Sequence, residues 1–321
     1  MRRGFSRMKL HCLERTFSHS APSLTPIKLP APLETHLWYV KPSEVKSESL
    51  LNRYLDTLSP CERESVLRLQ GEESRKSALL ARALVRTTIA RYQINSHADP
   101  KSLKFRKNLH GKPEIEWQIT DNWCPPPLHF NISHTSSLVA CGVTTKARIG
   151  IDVEEKQRKI KHDVLSFARR YFSKNELRFL AAISDPQVQH MEFVKLWTLK
   201  EAYVKALGKG FSGAPFKTFT IHVESVDERG FSSVDYDYSS RKVSEITVES
   251  LDKTAGITSN WQFVLLELAN LHYVAICTEK LGDVEGKINV PRKLKVWKTI
   301  PFLEDVCVSG TDAVNIICGL Q

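Results

Sequence analysis

Two carboxylates and an acid–base pair are the residues of this chain with the clearest chemical potential. In the segment IGIDVEE, Asp152 and Glu154 stand two residues apart. On a strand, alternation sends Ile149, Ile151 and Val153 to one face and Asp152 and Glu154 to the other. Two carboxylates on one face make a hard oxygen site suited to Mg²⁺; the same pattern also describes the ordinary polar face of a half-exposed strand. In WTLKEAYVKALGKG, Trp197, Glu201 and Lys205 recur every four residues and share one stripe of a helix. Glu201 ahead of Lys205 is the favoured order for a surface ion pair. Facing a cleft, the same pair supplies a metal ligand or base and a cation for a phosphate oxygen.

Two shorter segments add polar groups. FNISHTSS crowds Asn131, Ser133 and His134 into the start of a strand. Ser133 and His134 do not form a catalytic dyad by adjacency, because neighbouring side chains seldom face each other. Their hydroxyl and imidazole suit phosphate oxygens, and equally suit local caps in a turn. In HGKPEI, Gly111 permits a turn, Pro113 stiffens it and Lys112 projects a charge.

The elements that must position these groups are legible around them. LWYV at Leu37 reads as a short strand. Ser59-Pro60-Cys61-Glu62 is a capping box with proline at the first helical position, and a second helix runs through SALLARALVRTTIARY. The strand LVACGV closes a first half. A second half begins with RIGIDVEE, repeats the capping box at Ser173–Glu176, and continues in the helix EFVKLWTLKEAYVKAL, stopped by Gly208. Strands follow at TFTIHV, WQFVLLEL and HYVAICT. Capped helix, longer helix and strands thus occur twice, which predicts an α+β protein of two similar halves with a cleft between them. The expected division is a leader over 1–34, an N-terminal half over 35–147, a C-terminal half over 148–280, and an extension over 281–321.

Composition narrows the class. With 41% hydrophobic and 26% charged residues, 321 residues bury a substantial core, and no stretch reaches the 18 apolar residues of a spanning helix. Seven scattered cysteines without a C-x-x-C pair argue against a disulfide framework or a zinc site and fit a reducing compartment. Half of the +10 net charge lies before residue 34, where six basic residues face only Glu14. That Arg- and Ser-rich, acid-poor stretch has the composition of an organelle transit peptide, mitochondrial in first reading, with plastid or cytosol as alternatives. The remaining basic surface suits phosphate or acidic partners and requires no nucleic acid or membrane.

Taken in order, GKP, FNISH, GIDVE and F-x-x-x-W-x-x-KEA-x-x-K-x-x-G-x-G closely resemble the Sfp-type 4′-phosphopantetheinyl transferases, from about Leu37 to about Glu279. The resemblance implies two pseudo-symmetric αβ halves in one chain, with coenzyme A bound between them and no need for a dimer. It implies Mg²⁺ (Mn²⁺ as substitute) held by Asp152, Glu154 and Glu201, coenzyme A phosphates contacted by Lys112, Ser133, His134 and Lys205, and the 3′-phosphate met by arginines near Arg63. It also implies transfer of the phosphopantetheine arm to a serine of an acidic apo acyl carrier protein, with Glu201 accepting the serine proton. A nucleotide pyrophosphohydrolase would draw several glutamates from one helix, and no such run exists here. The aromatic strand signatures of common RNA modules are also missing.

Overall fold

The computed structural model describes residues 24–92, 99–117, 127–161, 163–226, 243–250, 260–281, 293–318 and 320. Residues 1–23, most of the expected leader, lie outside them, as do Cys124 to Pro126 of a proline-rich loop. The first half comprises β1 (Glu34–Val40), α1 (Glu48–Thr57), α2 (Pro60–Leu67), α3 (Glu72–Arg91), β2 (Lys104–Lys107), β3 (Pro113–Glu116), β4 (Leu128–His134) and β5 (Val139–Thr145). The second comprises β6 (Ile149–Glu155), α4 (Val164–Tyr171), α5 (Lys174–Ala182), α6 (Pro186–Leu207), β7 (Phe219–Val226), β8 (Val243–Ser250), β9 (Trp261–Leu268) and β10 (His272–Glu279). β11 (Lys293–Ile300), β12 (Glu304–Cys307) and β13 (Val314–Ile317) complete the chain.

Both capping boxes form: Ser59 with Glu62 opens α2, and Ser173 with Glu176 opens α5. α6 begins earlier than the apolar pattern suggests, at Pro186, because the Asp185 carboxylate caps the amides of Gln187 and Val188. It ends where expected, with Gly208 in the left-handed conformation at φ 68°.

Period-two alternation sorts the strands into layers. A five-stranded sheet, β12-β11-β1-β5-β4, carries Trp38, Val40, Val139 and Cys141 toward a core built with α1 to α3. A four-stranded sheet, β13-β9-β10-β6, carries Leu265, Tyr273, Ala275 and Cys277 toward a core built with α4 to α6. The opposite faces meet each other: Leu37, Tyr39, Ile149, Ile151, Val153, Leu266, Val274 and Val296 form one shared apolar layer. Two helix-backed sheets are thereby joined through a dry core.

The segment expected as an extension is no appendage. β11 pairs in parallel with β1 and antiparallel with β12, and β13 pairs antiparallel with β9, so this last stretch adds two strands to one sheet and one to the other. The buried guanidinium of Arg91 on α3 holds both oxygens of Asp305 on β12, at 2.8 and 2.9 Å from Nη2. Position in the sequence gave no hint of this, since strand pairing over some 250 residues leaves no local pattern.

A buried lysine fixes the helix next to the cleft. Lys200 lies fully inside, donating to both oxygens of Glu176 at 2.7 and 2.8 Å and to the Phe219 carbonyl at 2.8 Å. Glu176 in turn accepts from the amides of Ser173 and Ile221. One capping carboxylate therefore ties α5, α6 and β7 together, and every donor and acceptor of the pair has a partner.

Candidate active site

The edge strands of the two sheets, β4 and β6, meet through side chains instead of a backbone ladder. Asn131 Oδ1 accepts the amide of Ile151 at 2.8 Å, and Ser133 Oγ accepts that of Val153 at 3.2 Å. This explains the spacing in FNISH: residues two apart on β4 satisfy amides two apart on β6. Opposite them, α6 crosses β6 so closely that a Cβ added at Gly150 would lie 2.1 Å from the Ala202 carbonyl oxygen. Glycine in GIDVE thus lets the helix stripe of Glu201 and Lys205 reach the carboxylates of the strand.

An open cleft of about 770 Å³ results, lined among others by Ser133, His134, Asp152, Glu154, Glu201 and Lys205. Lys205 Nζ donates to Asp152 Oδ1 at 2.6 Å and to Ser133 Oγ at 3.0 Å, and Ser133 Oγ donates to the same Asp152 oxygen at 2.9 Å. The other oxygen of Asp152, Oδ2, is buried with no hydrogen-bond partner. Such an orphaned acceptor costs of order 1–3 kcal/mol unless something else meets it. Arg158 pairs with Glu154 at 2.5 Å and lies over the Trp197 ring, 4.8 Å from its centroid. Glu201 makes no hydrogen bond or ion pair among the described residues.

Burial and the neighbouring Asp152 charge push both Glu154 and Glu201 up to about 7. His134, at the rim, is held below the ordinary imidazole value by partial burial and by the cations Lys205 and Arg82, so it is neutral at neutral pH. No three His, Cys, Asp or Glu side chains among the described residues stand together as a preformed cage. Nevertheless the donor set fits a hard dication: Asp152, Glu154 and Glu201 border one cleft, and the buried Oδ2 of Asp152 lacks any partner.

Two expected site residues stand apart. Lys112 Nζ donates to the carbonyls of Ile149 and Lys205, both at 2.8 Å, and burial lowers its pKa to about 8. Beside it, Asn108 Nδ2 donates to the Gly208 carbonyl at 3.0 Å. The β2–β3 turn therefore caps the C-terminal end of α6, where lone carbonyls attract a cation. Arg63 pairs with Asp56 at 2.6 Å and lines a separate groove with Leu58, Pro60, Leu67 and Arg68. Besides Lys205, Arg82 on α3 acts electrostatically on His134, and its helical sequence context does not single that arginine out.

The family comparisons agree with this geometry. Residues 43–146 match the family model "4′-phosphopantetheinyl transferase, N-terminal", and residues 148–256 match "4′-phosphopantetheinyl transferase superfamily". The chain is 35% identical to 4′-phosphopantetheinyl transferase Sfp of Bacillus subtilis over 53% of its own length and 69% of that protein. It is 33% identical to another Bacillus subtilis 4′-phosphopantetheinyl transferase, over 54% and 70% of the two chains. With 4′-phosphopantetheinyl transferase HetI of Nostoc, identity is 32% over 62% and 78%. The chain belongs to the Sfp-type 4′-phosphopantetheinyl transferase superfamily, and its activity is 4′-phosphopantetheinyl transfer.

The two raised carboxylates carry a pH prediction. In the metal-free protein Glu154 and Glu201 retain protons up to about pH 7, and a divalent cation requires them ionised. Mn²⁺ affinity is therefore expected to rise between pH 6 and pH 8, by up to about tenfold per unit for each proton released. Titration calorimetry in buffers of different ionisation enthalpy reads the released protons. An affinity flat across this range, with no proton release, would place both carboxyls back near their ordinary values.

Proposed function

We propose that the Asp152–Glu201 cleft transfers the 4′-phosphopantetheine arm of coenzyme A to a serine of an apo carrier protein, releasing 3′,5′-ADP. The unpartnered Oδ2 of Asp152, facing a cleft shared with Glu154 and Glu201, carries the metal part of this reading. Asp152, Glu154 and Glu201 are the residues to hold Mg²⁺, which when bound supplies charge neutralisation for a diphosphate. Lys205 has a third N–H to offer a phosphate oxygen beyond its bonds to Asp152 and Ser133, and neutral His134 donates from the rim. Glu201, with no partner among the described residues, borders the same cleft and is the group to accept the proton of the attacking serine hydroxyl. The serine oxygen bonds the β-phosphorus as the bridge to the α-phosphate breaks; the pantetheine phosphate stays on the serine and the α-phosphate leaves on 3′,5′-ADP, both within reach of the same cations. The test is incubation of the purified chain with coenzyme A, Mg²⁺ and an apo carrier protein: mass spectrometry should show the carrier gaining the pantetheine arm, and no gain overturns the reading.

The carrier is acidic in this reading, and the surface that meets it is the basic rim beyond β6. Lys156 and Arg158 of that run are engaged with Glu267 and Glu154, which leaves Lys159, Lys161, Arg169 and Arg170 exposed. Reversal of Arg169 and Arg170 to Glu is expected to raise the carrier KM several-fold while leaving the coenzyme A KM unchanged, because rim charges act on encounter. An unaltered carrier KM would remove this surface. The composition of residues 1–34 supports import into mitochondria; fusion of that segment to a fluorescent reporter tests it, and a diffuse cytosolic signal rejects it.

A further inference from the structure

Arg158 has two partners of unequal kind. One guanidinium nitrogen reaches Glu154 Oε1 at 2.5 Å, while the planar group rests on the Trp197 ring, 4.8 Å from its centroid. Its backbone is fixed, since the Arg158 carbonyl meets His190 Nε2 of α6 at 2.8 Å. Its side chain remains about one third exposed at the mouth of the cleft. Trp197 lies one helical turn before Glu201 on α6, so the stack keeps the cation beside the carboxylate cluster. The three carboxylates Asp152, Glu154 and Glu201 thus share the cleft with two cations that pair with them, Lys205 and Arg158. Lys205 takes one oxygen of Asp152 and leaves the buried other one open, and Arg158 takes one oxygen of Glu154 from the mouth of the cleft.

We propose that Arg158 is an exchangeable counter-ion of the metal site, seated on Glu154 when no dication is present and displaced from it when one binds. The inference rests on the transferase reading for the identity of the site, and concerns a residue outside the motifs that define the family resemblance. The geometry favours exchange over a fixed structural pair for three reasons. The pair is at the solvent edge, where separation costs little desolvation. The ring of Trp197 still holds the guanidinium after Glu154 is lost, by a cation–π contact that needs no carboxylate. And a guanidinium seated on Oε1 of Glu154 puts a positive charge on the very carboxylate a dication would use, so the two cations repel each other there.

The exchange makes a prediction opposite in sign to that for a metal ligand or a supporting strut. Mn²⁺ binding is measured on the full-length chain without coenzyme A, by electron paramagnetic resonance of the free ion, with Mg²⁺ as competitor. Arg158→Met, which preserves the stack on Trp197, is expected to tighten Mn²⁺ binding about tenfold, the equivalent of one charge-assisted contact no longer competing. Arg158→Lys keeps a cation and is expected to stay near the parent affinity. In a Glu154→Gln background, Arg158→Met is expected to give no further gain. An unchanged or weakened affinity in Arg158→Met, or the same gain with and without Glu154, overturns the exchange. Failure of the transfer assay with all of these metal affinities intact would instead count against the transferase reading.

Discussion

Glu201→Gln is expected to lower kcat by roughly 10² to 10⁴-fold, the usual contribution of a positioned general base, while the protein melts no lower than its parent. Both halves of that expectation come from one observation. Glu201 is held near pKa 7 by burial and by the Asp152 charge, and no described residue pairs with it. An unpaired acid in a half-buried, like-charged setting contributes nothing to the fold, so its amide costs no stability. It does remove the only carboxylate of α6 that faces the cleft. Asp152→Asn is expected to match the loss of turnover but to reduce stability as well, because Lys205 and Ser133 both bond to the oxygen it alters. Steady-state kinetics and thermal melts on the two variants decide the matter. Turnover within tenfold of the parent in Glu201→Gln would take the proton-accepting role away from it.

Much of the site was legible because its chemistry follows local periodicity. Alternation in IGIDVEE placed Asp152 and Glu154 on one face, and four-residue spacing placed Trp197, Glu201 and Lys205 on one stripe; the cleft unites four of these five polar and aromatic positions with Ser133 and His134. Capping boxes located α2 and α5 for the same local reason. What stayed hidden depends on distance. Lys112 looked like a projecting charge, yet two of its donors meet carbonyls of residues 37 and 93 positions away. Arg158 looked like one member of a basic run, and only the fold sets it on Trp197. Arg82 is one of several arginines along α3, and its influence on His134 depends on how α3 lies behind β4. The start of α6 was within reach of sequence reasoning, since Asp185-Pro186 is an N-cap followed by an N1 proline. α1 has only Ser47 as a cap and no reciprocal box, a weaker signal that passed unread.

Gly150→Ala is expected to disable the enzyme as thoroughly as loss of a catalytic carboxylate, although residue 150 carries no functional group. The added Cβ would stand 2.1 Å from the Ala202 carbonyl oxygen, 2.2 Å from the Ala206 nitrogen and 2.8 Å from the Ala206 Cα. All three are backbone atoms of α6, so no rotamer change relieves the overlap; the helix itself must move away from β6, by an ångström or more. That shift lifts Lys205 from Asp152, now 2.6 Å away, and withdraws Glu201 from the strand carboxylates. Misplacement on this scale costs on the order of 10²-fold in rate, and overpacking of this kind costs about 1–3 kcal/mol in stability or more. Gly142→Ala is the informative control. There the added Cβ meets side-chain atoms and no backbone, Ile151 Cγ2 at 2.7 Å and Ile149 Cδ1 at 2.9 Å, so the shared apolar layer must repack while α6 keeps its place. Its expected loss of activity is correspondingly small. Urea unfolding separates the two consequences in Gly150→Ala, because activity assayed well below the unfolding midpoint reports position and not population. Truncation of neighbouring side chains on α6 should not restore the variant, since the obstruction is backbone. Parent-like transfer by folded Gly150→Ala would show that the close approach of α6 to β6 is not what brings Glu201 and Lys205 to Asp152.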